Sequence, residues 1–161
     1  MNIRKAKVTD ANAIASIYNY YVENTIITFE EEPVSLETMA MRIETISGKY
    51  PYLVIEDENV VVGYAYATEW KTRSAYRYSA EVTIYLDHQV SGKGLGSKLY
   101  EVLLEELKKT NLHSLVGGIS MQNPASVALH EKFGFKKIGQ FEEIGFKFGQ
   151  WIDVGYWERN L

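Results

Sequence analysis

The sequence predicts a mixed α/β domain, and three observations carry that reading. Residues 79–86 alternate, with Ala80, Val82, Ile84 and Leu86 to one side and Glu81, Thr83 and Tyr85 to the other, the period of a half-buried strand. Leu95, Leu99, Val102, Leu103 and Leu107 then recur at helical spacing up to Lys108 and Lys109, whose charges suit a helix C-terminus. Between them runs QVSGKGLGS, from Gln89 to Ser97, whose three alternating glycines allow a tight turn from strand into helix.

The remaining elements follow in order. Residues 3–8 read as a strand, and Thr9 or Asp10 caps a helix whose Ala13, Ile14, Ile17, Tyr18 and Tyr21 share a face. Ser35 caps a second helix carrying Leu36, Met39, Ile43 and Ile46, which ends near Gly48. Residues 53–56 and 60–69 make a hairpin around Asp57, Glu58 and Asn59, and the strand bearing Glu81 comes next. After the long helix, 114–120 is a strand. Asn123 caps a short helix, Pro124 fits its first position and Gly134 ends it. Strands at 135–141 and 147–157 complete the order β-α-α-β-β-β-α-β-α-β-β, with no internal repeat or linker.

Composition narrows the function. With 161 residues, 46% hydrophobic and 24% charged, the chain suits one domain over 1–161. Its net charge of −4 and lack of a long basic run offer nucleic-acid phosphates little, so no nucleic-acid partner is expected. Having no cysteine, it can use neither disulfides, a thiolate nucleophile nor Cys-based zinc sites. His88, His113 and His130 lack metal-helix spacing, so no metal is expected. The N-terminus reads as a strand rather than a signal peptide, and no apolar run approaches the ~20 residues of a membrane span. A cytoplasmic location without membrane contact is the expectation.

Where the glycine run opens the helix, first-turn N–H groups and the helix dipole present partial positive charge to an anion, most naturally a phosphate or pyrophosphate. The Walker loop fails on spacing, because Lys98 follows Ser97 and no Gly-Lys-Ser occurs. A dinucleotide fingerprint fails as well, since Ser97 stands where its third glycine belongs. A plain connector remains the alternative. Pattern alone likewise leaves Glu81 either a surface ion-pair acid or a proton acceptor, and His130 either a packed histidine or a functional one.

The Gln-x-x-Gly-x-Gly run, followed downstream by NPASVALHEKFGF from Asn123 to Phe135, resembles the GCN5-related N-acetyltransferase (GNAT) superfamily. YPYLV at 50–54, GYAYA at 63–67, WKTRSAY at 70–76, AEVTIY at 80–85 and GQWIDVGYW at 149–157 are similar to its phosphinothricin N-acetyltransferase branch, over nearly the whole chain. The resemblance implies the GNAT fold, a mostly antiparallel twisted central sheet of about seven strands with helices on both faces. It implies acetyl-CoA as acyl donor, and as acceptor the α-amino group of a small amino acid such as phosphinothricin, methionine sulfoximine or methionine sulfone. Resistance to such compounds would follow. Transfer would be direct, in a ternary complex.

Carried over residue by residue, the resemblance puts the catalytic carboxylate on Glu81 and a residue near the thiol on His130, where many relatives carry a tyrosine acid. The backbone amide of Tyr85 or Leu86 would serve as oxyanion donor. Coenzyme contacts fall on Ile84, Tyr85, Leu86, Gln89, Gly92, Lys93, Gly94, Leu95, Gly96, Ser97, Asn123 and Ser126. Arg73, with Lys71 and Tyr76, is the candidate grip for the anionic end of the acceptor, against the alternative of a solvated basic loop. Phe29 is either a pocket wall or ordinary core. Subunits in this family pair through the aromatic-rich end, Phe146, Phe148, Trp151, Tyr156 and Trp157, so a homodimer is expected. Two other functions stay open: acetylation of a polyamine, an aminoglycoside or a protein N-terminus, and acyl-CoA binding without turnover.

Overall fold

Alternation along the strands decides which side chains meet which layer of helices. The computed structural model describes residues 1–90 and 94–161. Its strands β1 (Asn2–Lys5), β2 (Tyr52–Asp57), β3 (Val60–Glu69), β4 (Ser79–Leu86), β5 (Ser114–Ser120), β6 (Lys136–Lys147) and β7 (Gln150–Asn160) form one sheet in the order β1-β2-β3-β4-β5-β7-β6. Helices α1 (Ala11–Asn24) and α2 (Leu36–Ser47) cover one face, where Ile14, Ile17, Met39 and Ile43 bury against Tyr52, Val54 and Tyr64. Helices α3 (Leu95–Lys108) and α4 (Pro124–Lys132) cover the other, where Leu99, Leu103 and Leu107 meet Leu53, Ile55, Ala80, Val82 and Trp157. Neighbours in sequence thus serve opposite cores, as the two-residue period requires.

Among the described residues, β4 with β5 is the one parallel pair. It is paired only from Ser79–Glu81 to Ser114–Val116; beyond that the two strands part. The resulting gap, open at the C-terminal end of β4 and facing the start of α3, places the site.

Several boundaries differ from the sequence expectation. The first strand stops at Lys5 rather than 8, because the Asp10 carboxylate accepts the Lys7 N–H (2.7 Å) and curls Val8–Asp10 into a 3-10 turn. Asp10 precedes α1 yet makes no side-chain cap; its oxygens are taken by Lys7 and by Arg4 (2.7 and 2.8 Å). Ser35 does cap α2, accepting from the Thr38 N–H at 3.1 Å. Glu58 and Asn59, both at positive φ, form the two-residue hairpin turn between β2 and β3. β6 runs past 141 to Lys147, with a break in register between Phe141 and Gly145 and Glu143 at φ 52°. That bulge erases the alternation a strand needs to be visible in sequence. Among the described residues no helix is long and apolar enough to cross a membrane.

Candidate active site

Two adjoining cavities occupy the β4–β5 gap, of about 390 and 460 Å³, and share Ile27, Ile84, Tyr85, Asn123 and Ser126. The larger reaches the start of α3 and is lined by Leu86, Gly94, Leu95, Gly96 and Ser97. Gly94 stands at the N-cap of α3 with φ 67° and ψ 17°, a left-handed conformation that favours glycine, and so turns the first amides of the helix toward this cavity. Gly92 and Lys93 lie outside the described residues. Gln89 does not line the cavity: it is exposed, and its N–H folds back on the Asp87 carboxylate at 2.9 Å. Its neighbours His88 and Val90, with Tyr21, do line it. These went unseen in the sequence, although the Tyr20–His88 stack at 3.6 Å shows how a histidine after a strand end can be fixed there.

Strand phase selects which amides face the gap. The Asp87 N–H donates to the Val62 carbonyl at 2.9 Å, continuing the register that sets Gly63 opposite Leu86. Hydrogen-bonded pairs alternate along an antiparallel ladder. The Tyr85 amide is therefore spent on Tyr64, while the Ile84 and Leu86 amides point away from β3 into the gap. The Leu86 carbonyl, on the same side, accepts the Tyr21 hydroxyl at 2.6 Å. Of the two oxyanion donors expected, the geometry leaves Leu86; Tyr85 is corrected from donor to cavity wall, its ring packed edge-on against Tyr18.

The smaller cavity holds the titratable groups. Glu81 projects from β4 toward Gly118 of β5, where a methyl would sit 3.3 Å from Oε1 and 3.2 Å from the Tyr156 ring. Burial raises the Glu81 carboxyl above the usual range, and the Lys71 charge partly opposes that rise. Lys71 itself lies 4.8 Å over the Trp70 ring, which meets Tyr156 edge-on. Arg73 and Tyr76 are exposed and do not line the cavity; of the expected acceptor-gripping trio, Lys71 is the one whose charge acts on the site. Phe29 lines the cavity and is 42% exposed, so it is a wall and not core.

His130 enters from α4, whose N-cap Asn123 accepts the Ser126 N–H at 3.1 Å. Its Nδ1 lies 2.8 Å from the Ser126 carbonyl. A carbonyl only accepts, so Nδ1 carries the proton and Nε2 presents a lone pair. Nε2 is buried without a partner among the described residues, and so is the Ser120 hydroxyl in the same cavity. Burial lowers the His130 pKa, which keeps the ring neutral at pH 7. His130 thus offers the cavity an acceptor, the opposite of the acid that a tyrosine would supply.

Room for this ring comes from Gly117, where a methyl would stand 2.5 Å from Nε2. Gly117 and Gly118 so admit a histidine on one face of β5 and a carboxylate on the other. Sequence reasoning passed over both, although two consecutive glycines inside a strand are a signal of close approach.

These features fit an acyl-coenzyme A. Unspent strand amides and a glycine-opened helix N-terminus suit its polar arm, and the unpartnered Nε2 and raised carboxyl stand where that arm would end. Among the described residues no group of three His, Asp or Glu could hold a metal.

Comparison with known proteins agrees. The acetyltransferase (GNAT) domain family matches residues 3–155. A phosphinothricin N-acetyltransferase of Streptomyces viridochromogenes is 39% identical over 161 residues, covering 100% of this chain and 88% of that protein. An L-methionine sulfoximine/L-methionine sulfone acetyltransferase of Salmonella typhimurium is 36% identical, covering 100% and 95%. The crystal structure of a GNAT phosphinothricin acetyltransferase from Sinorhizobium meliloti in complex with acetyl-CoA superposes with a TM-score of 0.96 at 38% identity, covering 99% of this chain and 88% of that one.

Proposed function

The chain belongs to the acetyltransferase (GNAT) family, and from that premise we propose that it moves an acetyl group from acetyl-CoA to the α-amino group of a small amino acid of the phosphinothricin and methionine sulfoximine or sulfone type. The observation that carries the reading is Glu81: a half-buried carboxylate of raised pKa on the wall of an acceptor-sized cavity that adjoins the coenzyme cavity.

An α-ammonium titrates near pH ~8, so at neutral pH most acceptor lacks the lone pair that must attack. Glu81 accepts that proton, directly or through a water; burial raises its pKa and makes it a stronger base than an ordinary carboxylate, with the Lys71 charge opposing part of that rise. The coenzyme supplies the thioester, held by Gly94, Leu95, Gly96 and Ser97 at the α3 start and by Asn123 and Ser126. Leu86 N–H donates to the oxygen that gathers charge at the acyl carbon. With no cysteine to carry an acyl group, transfer is direct. Lys71, whose charge reaches Glu81, meets the anionic end of the acceptor, and Arg73 and Tyr76 stand outside the cavity lining on the same segment before β4, from where a bound acceptor would have to draw them in.

The single domain works as a homodimer in the cytoplasm, and resistance to such amino-acid inhibitors is its consequence. Ile138, Phe141, Ile144, Phe146, Phe148 and Trp151 are 54–61% exposed on β6, β7 and the turn between them, and β6 is the sheet edge, a surface that a second copy would cover. Trp157 from the same aromatic run is buried instead, its indole N–H on Glu131 at 3.2 Å. Light scattering that finds only an 18.4 kDa species at micromolar protein contradicts the dimer.

The test is thiol release from acetyl-CoA with phosphinothricin, methionine sulfoximine, methionine sulfone and glutamate side by side. Saturable turnover of the first three supports the proposal. Turnover confined to a polyamine, an aminoglycoside or a peptide N-terminus moves the enzyme to another acceptor class, and no release with any amine leaves a binding module.

A further inference from the structure

Lys147 is a lysine with no evident reason to be buried. It sits at the end of β6, 1% exposed, and among the described residues no carboxylate lies within ion-pair distance of its ammonium. Burial lowers its pKa, with Glu30 and Glu31 opposing from further off. An unpaired buried cation is costly, so what it holds matters. Its Nζ donates to the Thr28 carbonyl at 2.9 Å, across 119 residues of chain, and lies 5.0 Å from the Phe148 ring.

Thr28 is the residue before the cavity wall Phe29. Its hydroxyl is paired with the Tyr18 hydroxyl at 2.7 Å, and Glu30, on the other side of Phe29, pairs with Arg42 of α2. The Phe29 ring itself lies against Gly145 of β6, where any methyl would overlap its Cε2 and Cζ atoms. The segment between α1 and α2 thus has no regular structure of its own. It is pinned at Thr28 and Glu30, with Lys147 supplying the charge-assisted bond.

We propose that Lys147 is a positioning residue for the acceptor half of the reaction: by holding the Thr28 carbonyl it seats Phe29 over the acceptor cavity. The inference rests on the acceptor reading of that cavity given above. Lys147 does not line the cavity, so its loss acts through the wall residues it holds in place, Thr28 and Phe29.

The test is Lys147→Met, with Lys147→Arg and Phe29→Ala alongside, read by steady-state kinetics and by hydrogen exchange. Lys147→Met is expected to raise the acceptor KM about tenfold while kcat and the acetyl-CoA KM stay within about twofold, and Lys147→Arg to keep most of the parental value. In a Phe29→Ala background the further cost of Lys147→Met should shrink to the part carried by Thr28, well below its cost in the parent. Amides of residues 28–30 should exchange about tenfold faster in Lys147→Met, and those of α3 should not. An unchanged acceptor KM, an equal rise in the acetyl-CoA KM, or an equal cost in the Phe29→Ala background overturns the proposal. Should the parent acetylate none of the amino acids, the substrate reading has failed, and the exchange measurement still decides whether Lys147 holds the segment. If Lys147→Met does not fold, Lys147→Gln, which keeps a donor but no charge, is read by the same criteria.

Discussion

Replacing Gly117 by alanine crowds the His130 ring directly. The new methyl would stand 2.5 Å from His130 Nε2 and 2.7 Å from Cδ2, whereas ordinary contact begins at 3.4 Å. The ring must therefore retreat by about 0.9 Å (3.4 minus 2.5). It has little freedom to do so: Nδ1 is held at 2.8 Å by the Ser126 carbonyl, and the rings of Tyr100 and Phe135 press edge-on at 5.2 and 5.1 Å. Overpacking of this kind costs about 1–3 kcal/mol, or about 2–12 °C in Tm at this chain length. A displacement near one ångström beside the reacting atoms should also lower kcat by ~10–100-fold. The assay pairs thermal unfolding with thiol release for the parent, Gly117→Ala, His130→Ala and the double variant. In the His130→Ala background the methyl meets no ring, so its stability cost should disappear. A Gly117→Ala protein with parental Tm and kcat refutes the packing argument, and so does a penalty that persists once the ring is gone.

Other expectations follow from the charges. Lys71→Met removes the cation that opposes the rise in the Glu81 pKa, so the acid limb of kcat/KM against pH should move to higher pH; a limb that stays put separates Lys71 from the site. Arg73→Ala, by contrast, should raise the acceptor KM and leave the acetyl-CoA KM alone, and a normal acceptor KM would return Arg73 to solvent. The Arg4 guanidinium beside Asp10 holds that carboxyl below its ordinary value, so its contribution to stability is present above the unfolded aspartate pKa and drains away as pH falls through the folded one. Asp10→Asn should accordingly lower Tm near neutral pH and flatten its decline in acid, which a Tm series from pH 7 to 3 reads directly.

The sequence made the fold legible wherever one face of an element is buried and the other wet. The strand at β4, the amphipathic α3 and the Ser35 cap all declare themselves in period or chemistry. β6 does so only as far as Phe141, because the break in register between Phe141 and Gly145, with Glu143 at positive φ, interrupts its alternation and its exposed aromatics break the polar half of the pattern. Strand phase was invisible as well: whether Tyr85 or Leu86 turns its amide to the gap depends on which β3 residue it pairs with, and that is fixed only by the assembled register.

The site was partly legible for the same reasons. Glu81 could be found because it lies on the polar face of a recognisable strand, and Asn123 and His130 because a cap and a helix place them. Lys147 could not, since a lysine at a hairpin end looks solvated until a distant loop delivers a carbonyl to it. Gly117 and Gly118 were seen only as strand residues; their meaning lies in what approaches them from either face. Arg73 looked apt by chemistry, yet a surface turn leaves it beside the cavity rather than in it.

In the proposed reaction Glu81 takes the acceptor's proton beside a separately bound coenzyme. Glu81→Gln, assayed for kcat from pH 6 to 9 with coenzyme affinity measured by calorimetry on the same sample, tests it most directly. A kcat lower by ~10²–10⁴-fold with coenzyme Kd within about twofold is the result the geometry requires. A variant as active as the parent across that pH range contradicts it.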